Sequence, residues 1–158
     1  MDIVRPNPAA AKRKSQLFQE SLLLLRLGVS IIPLAHRSEG DYLVPEIRHL
    51  RQKIQARAGF NLPLVRIVDS PSLQNSNYVF ESRGVELGHG VIHLEHYRLP
   101  GWLSPSLLPE EGVREFDPLI QREVLWVPIA NLNKALMRYA LSPTRVIVMH
   151  LAVSFFKH

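Results

Sequence analysis

Apolar and polar positions alternate most clearly between Gly59 and Gly90, where Val65 and Ile67, Tyr78 and Phe80, and Val85 and Leu87 each recur at every second residue. A period of two turns one face of a strand inward, so three short strands are predicted. Turn-forming residues separate them at Asp69-Ser70-Pro71, Asn75-Ser76-Asn77 and Arg83-Gly84, and Gly88 suits a bulge. Upstream, Leu22 to Leu34 reads as a buried strand that ends at Pro33, which has no ladder donor. Leu43, Val44, Ile47, Leu50, Ile54 and Ala58 recur at helical spacing. They predict an amphipathic helix with Asp41 as N-cap, Pro45 in the first turn and Gly59 as C-terminal cap. Its outer face carries Arg48, Arg51, Lys53 and Arg57, diluted by Glu46, Gln52 and Gln55, and reads as a solvated polar face.

Downstream, Val91 to Leu99 extends the last of the three strands. Pro100-Gly101, Pro105, Pro109, Gly112 and Pro118 then crowd into about twenty residues, a density that excludes regular core elements. Glu123 to Val127 is the one strand expected there. Asn131 is the expected cap of a short helix reaching Tyr139, and Ser142-Pro143 opens a final, largely apolar helix to Phe156. The pattern predicts an α/β fold: a small mixed sheet with packed helices, thioredoxin-like or ferredoxin-like, interrupted by a loop-rich insertion. Residues 22–97 and 138–158 form the discontinuous α/β subdomain, 98–137 the inserted one, and 1–21 a linker.

Composition narrows the chemistry. The chain has 158 residues, 46% of them apolar, enough for one ordinary core. It contains no cysteine, which excludes disulfides, thiolate catalysis and Cys-ligated zinc. A net charge of +5 is too mild to name a nucleic-acid partner. The apolar run Leu22 to Leu34 is broken by Arg26, Gly28, Ser30 and Pro33 and falls short of the roughly 20 residues of a membrane helix. His89, His93 and His96 are close in sequence, but on one continuous strand His96 faces away from the other two, so no metal site is expected. Gly84, Gly88 and Gly90 lack the following GK[ST] of a phosphate loop, and no nucleophile elbow is present. No enzyme and no cofactor are expected. A nucleic-acid-binding α/β module, with Tyr78 and Phe80 as a stacking platform, is the alternative function.

The residues GF..P.VRI.DSP.L....Y.F...GVE...G over Gly59 to Gly90, together with LRLGVSIIPL before them, resemble the export-gate family of type III secretion, the FlhA-like or FHIPEP proteins. The similarity runs from Leu25 to Tyr97 and resumes at Asp117-Pro118 through Trp126-Val127 and over Ser142 to Leu151. It implies the first part of the cytoplasmic domain of an inner-membrane gate, flagellar or injectisome, here as a fragment without the membrane helices and later subdomains. The implied role is non-enzymatic: a homo-nonameric ring that receives chaperone-bound export substrates and contacts other secretion-apparatus components. In flagellar relatives the docking pocket carries an Asp-Pro-x-Phe motif. The matching residues are Asp117, Pro118, Leu119 and Ile120, so an aliphatic side chain stands where the family has an aromatic one. Met149, just before His150, supplies the final-helix side of the pocket, and these departures fit an injectisome member better.

The resemblance therefore implies partner-binding by Asp117, Ile120 and Met149. Asp117→Ala is expected to weaken docking without disturbing the core. Without the ring-forming part of the family's domain, the chain is expected to be a monomer or a weak self-associator. Light scattering at micromolar concentration checks this, and a stable nonamer would contradict it.

Overall fold

The structure, a computed structural model, describes residues 23–103, 105–109 and 111–157; the proposed linker 1–21 lies outside them. Seven strands form two sheets. In the first, β1 (Leu23–Leu27) runs parallel to β2 (Val65–Asp69) and antiparallel to β3 (Asn77–Ser82), and β3 pairs antiparallel with β4 (Val85–Val91), giving the order β2-β1-β3-β4. Helix α1 (Leu43–Ala58) makes the crossover that a parallel β1/β2 pair requires. The second sheet, β5-β7-β6, comprises β5 (His96–Pro100), β6 (Val113–Asp117) and β7 (Arg122–Pro128). A short helix α2 (Lys134–Met137) and the long α3 (Pro143–Lys157) follow. This is the small mixed sheet with packed helices that the pattern predicts, joined by a second small sheet.

The three central strands lie where the alternation predicts them. Arg83 and Gly84, with φ of 55° and 75°, make the tight turn between β3 and β4. The register slips between Phe80 and Glu81 opposite Gly88 and Glu86, so the bulge falls beside Gly88. Gly59 caps α1 in the left-handed conformation with φ 75°, and Ser142 caps α3, its hydroxyl accepting from the Arg145 N–H at 3.3 Å.

Five expectations are corrected. The first strand stops at Leu27, and Val29–Ala35 winds into a 3₁₀ helix: the Gly28 N–H bonds to Asn77 and the Ser30 N–H to Asn75, which carries the chain past the start of β3 and over the turn before it. Asp41 does not cap α1. Its carboxylate accepts from the Ser142 hydroxyl at 2.9 Å and its carbonyl from Thr144 at 3.0 Å, tying the start of α3 to the start of α1. Val91 to Leu99 is not one strand, because Glu95 turns at φ 61° and His96–Pro100 joins the second sheet. The cap of α2 is Asn133, not Asn131; its Oδ1 accepts from the Leu136 N–H at 2.9 Å. Finally, β6 was not expected at all, because Val113-Arg114-Glu115-Phe116-Asp117 is an edge strand whose two apolar residues lie three apart and break the period of two.

Helices α1 and α3 cover one face of the first sheet, where Leu23, Leu25, Leu27, Tyr78 and Phe80 meet Ile47, Ile54, Ile147 and Leu151 in the larger core. Leu99, Leu103, Leu125, Val127 and Leu136 form a separate core around the second sheet. The opposite face of the first sheet is polar, with Arg26 donating to Glu81 and Ser70, each at 2.7 Å. Among the described residues no helix is long and apolar enough to cross a membrane.

The glycines of β4 admit the neighbouring side chains. A Cβ at Gly88 would lie 2.6 Å from the Ser154 hydroxyl of α3, and one at Gly90 would lie 2.4 Å from the Tyr78 hydroxyl. Both Tyr78 and Ser154 are buried, so neither can swing into solvent. Gly90→Ala is therefore expected to cost about 1–3 kcal/mol by overpacking, read as a lower urea midpoint at unchanged slope.

Candidate functional site

Where the two sheets meet, three charged or titratable side chains from three elements are taken out of water. Arg98 of β5, Asp117 at the end of β6 and His150 on α3 are 5%, 6% and 4% exposed. Burial of such groups is costly unless each finds a partner. Arg98 Nη1 donates to Asp117 Oδ2 at 2.8 Å, and His150 Nε2 approaches the same oxygen at 2.5 Å. The Leu119 N–H donates to Oδ1 at 3.0 Å, closing a turn over Pro118. On the far side of the imidazole, the Tyr78 hydroxyl of β3 meets Nδ1. The imidazole joins the two partners: Nε2–H donates to the carboxylate, and Nδ1 pairs with the phenol.

Burial, and next the Asp117 charge, push the Tyr78 phenol well above its usual value, so its proton is available to donate. Burial also works against ionisation of Asp117. The hydrogen bond and charge of His150 and those of Arg98 outweigh it and bring the carboxyl from 3.8 down to about 2. Arg98 is fixed along its backbone as well, exchanging N–H···O bonds of 2.8 and 2.9 Å with Leu141, just before α3.

Two clefts open on either side of this cluster. One, of about 290 Å³, lies between β4 and β6, with Gly90, Phe116, Asp117, Trp126 and His150 among its walls. The other, of about 410 Å³, is walled by Trp102, Ile120, Tyr139, Leu141 and Met149. Arg98 lines both. Of the three residues implied by the resemblance, Ile120 and Met149 thus share one cleft, while Asp117 faces the other across the Arg98 guanidinium. The expectation that Asp117→Ala spares the core is corrected, since that carboxylate is the counter-charge of a buried arginine.

A second polar group lies beside the smaller cleft. Glu115 accepts from the Trp126 indole at 3.1 Å and pairs with His93 Nε2 at 2.5 Å. His93 and His96 are not split across strand faces as expected. The turn at Glu95 brings their rings to 5.9 Å, but among the described residues no group of three or more His, Asp or Glu is placed to hold a metal. Tyr78 and Phe80 are wholly buried, so the stacking platform of the nucleic-acid alternative has no exposed ring.

Arg98, His150, Trp102 and Tyr139 were not singled out from sequence. A signal existed for the first two: an arginine between Tyr97 and Leu99 in a strand, and a histidine in the middle of an apolar helix, each sit at inward positions where charge demands a partner.

Residues 4–158 match the FHIPEP family. The chain is 27% identical over 139 residues to the flagellar biosynthesis protein FlhA of Helicobacter pylori, covering 85% of this chain and 19% of that protein. It thus spans about a fifth of the length of that curated relative. Its fold is similar to that of the CdsV protein of Chlamydia pneumoniae, with a TM-score of 0.68, 21% identity and coverage of 85% of this chain and 41% of that one. It is also similar to the nonameric SctV-C of EPEC, with a TM-score of 0.51, 16% identity and coverage of 82% and 37%.

Removing the Asp117 carboxylate leaves Arg98 buried without its counter-ion. Asp117→Ala is expected to destabilise the fold by about 3–5 kcal/mol, measured by denaturant unfolding. Because the folded pKa of about 2 lies below the ordinary 3.8, the stabilisation by this group is complete above the higher value. It amounts to about 2 kcal/mol and is lost as pH falls through the lower one. An acid titration of wild type should show this loss, and Asp117→Asn should lack it.

Proposed function

The chain belongs to the FHIPEP family, and from that premise we propose that it forms part of the cytoplasmic domain of a type III secretion export gate, at the inner membrane, where it docks chaperone-bound export substrates. The role is non-enzymatic. The observation that carries the docking reading is the larger cleft, in which Ile120 and Met149 come together beside two exposed aromatic rings. Exposed apolar side chains grouped around a concavity are the usual form of a protein-binding hot spot. In favour of a non-enzymatic role, Asp117, His150 and Tyr78 are engaged with one another, leaving none of the three poised as a base or nucleophile.

The further family traits are proposals of the same standing. Assembly of the full-length protein into a nonameric ring is supported by the likeness to the nonameric SctV-C, and attachment to the membrane would use segments outside the described residues. Contact with other secretion-apparatus components belongs to the same reading. The division into a discontinuous subdomain, 22–97 with 138–158, and an insertion, 98–137, is also our proposal, supported by the two separate apolar cores.

The test is Ile120→Asp in the full-length cytoplasmic region of the natural protein. A carboxylate placed among Met149, Leu141 and the two rings would be desolvated on docking without a partner. Affinity for a chaperone–cargo complex, measured by biolayer interferometry, should fall at least tenfold while circular dichroism stays that of wild type. Unchanged affinity in the folded variant would put the docking surface elsewhere.

A further inference from the structure

The larger cleft has a chemistry more specific than an apolar hollow. Trp102 is 66% exposed and Tyr139 41% exposed, and their rings meet edge to face, 5.8 Å apart and 84° tilted. So exposed an indole, stacked edge-on against one neighbouring ring, is a weaker contributor to the fold than to an interface. Facing these rings are Ile120 and the thioether of Met149, a soft wall that suits an aromatic guest.

At the floor lies Arg98. Its Nη1 is taken by Asp117, and among the described residues its Nη2 meets only the Met149 sulfur, at 3.9 Å. A thioether is a weak acceptor, so a guanidinium nineteen-twentieths buried turns one arm to the cleft without an oxygen to receive it. In the walls Arg122 offsets Glu123, so the Nη2 arm of Arg98 is the donor left to complement an acidic guest.

We propose that this cleft recognises a carboxylate set beside an aromatic side chain on a protein partner. The ring seats among Trp102, Tyr139, Ile120 and Met149, and the carboxylate accepts from Arg98 Nη2. Trp102, Tyr139 and Arg98 are the specificity-determining residues of the docking cleft, and the inference rests on the docking function proposed above. Asp117 does not touch the partner; by holding Nη1 it leaves Nη2 directed to the cleft.

The probe is 3-phenylpropionate, with neutral 3-phenylpropanamide as its control, titrated into the full chain labelled at isoleucine and methionine methyls. The acid should shift the Ile120 and Met149 methyl resonances and the Trp102 indole signal saturably in the millimolar range. The amide should bind at least threefold more weakly, and Trp102→Ala should weaken the acid at least tenfold. Equal binding of acid and amide, no saturable shift, or shifts around Phe116 and His89 in place of the larger cleft would each overturn the proposal. The same Trp102→Ala chain is then assayed with the chaperone–cargo complex. Probe binding that follows the expectation, with chaperone affinity unchanged by both Trp102→Ala and Ile120→Asp, would overturn the docking function and leave the chemistry of the cleft standing. Chaperone affinity lost in Ile120→Asp but kept in Trp102→Ala would overturn the assignment of Trp102.

Discussion

A buried carboxylate with two cationic or hydrogen-bonding neighbours is an all-or-nothing arrangement. Complete, it is near neutral in energy against an apolar replacement; missing one member, it leaves a charge in a low-dielectric interior. Asp117 is placed in that way between Arg98 and His150. The four participating side chains come from β3, β5, β6 and α3, so the cluster ties elements of both sheets to the last helix. The two apolar cores are separate and nonspecific about relative orientation. Directional bonds of fixed length supply the orientation that apolar burial leaves open.

That constraint also shapes the surface. Both clefts have Arg98 in their walls, so anything that displaces the guanidinium changes two concavities at once. The carboxylate is the reason the guanidinium stays put, because a long flexible side chain at a cleft floor otherwise gives up about 2 kcal/mol of rotamer entropy when ordered. Rigidity of this kind lowers the cost of binding a partner. The surrounding polar pairs, Arg26 with Glu81 and His89 with Glu86, are half-exposed or exposed and carry little of the stability.

The first sheet was legible in sequence because its strands are half-buried and alternate, and because Gly59, Gly84 and Ser142 sit where backbone geometry needs those residue types. The second sheet was mostly not legible. Its edge strand β6 carries Arg114 and Glu115 on a short span, and proline density around it reads as loop when the pairing partner β7 is out of view. The run from Val91 to Leu99 looked continuous because composition does not register a single positive φ at Glu95. For the site, family resemblance supplied Asp117, Ile120 and Met149. It could not supply the side of Arg98 on which each lies, since that depends on pairing Arg98 with Leu141 across some forty residues. Trp102 and Tyr139 carried no motif, and only their contact in three dimensions separates them from ordinary loop aromatics.

The hydrogen bonds from Ser142 and Thr144 to Asp41 join residues about a hundred positions apart, and the same helix then seats His150 against Tyr78. During synthesis at the ribosome, the β1 to β4 sheet and α1 emerge well before the helix that completes their cover. Until α3 arrives, the inward faces of Tyr78, Phe80 and Leu25 have no lid on that side, and loop closure over so long a span is slow relative to local pairing. The nascent chain therefore passes through an interval in which the inward face of the first sheet lacks half of its cover, the stage at which an incomplete domain is most prone to association.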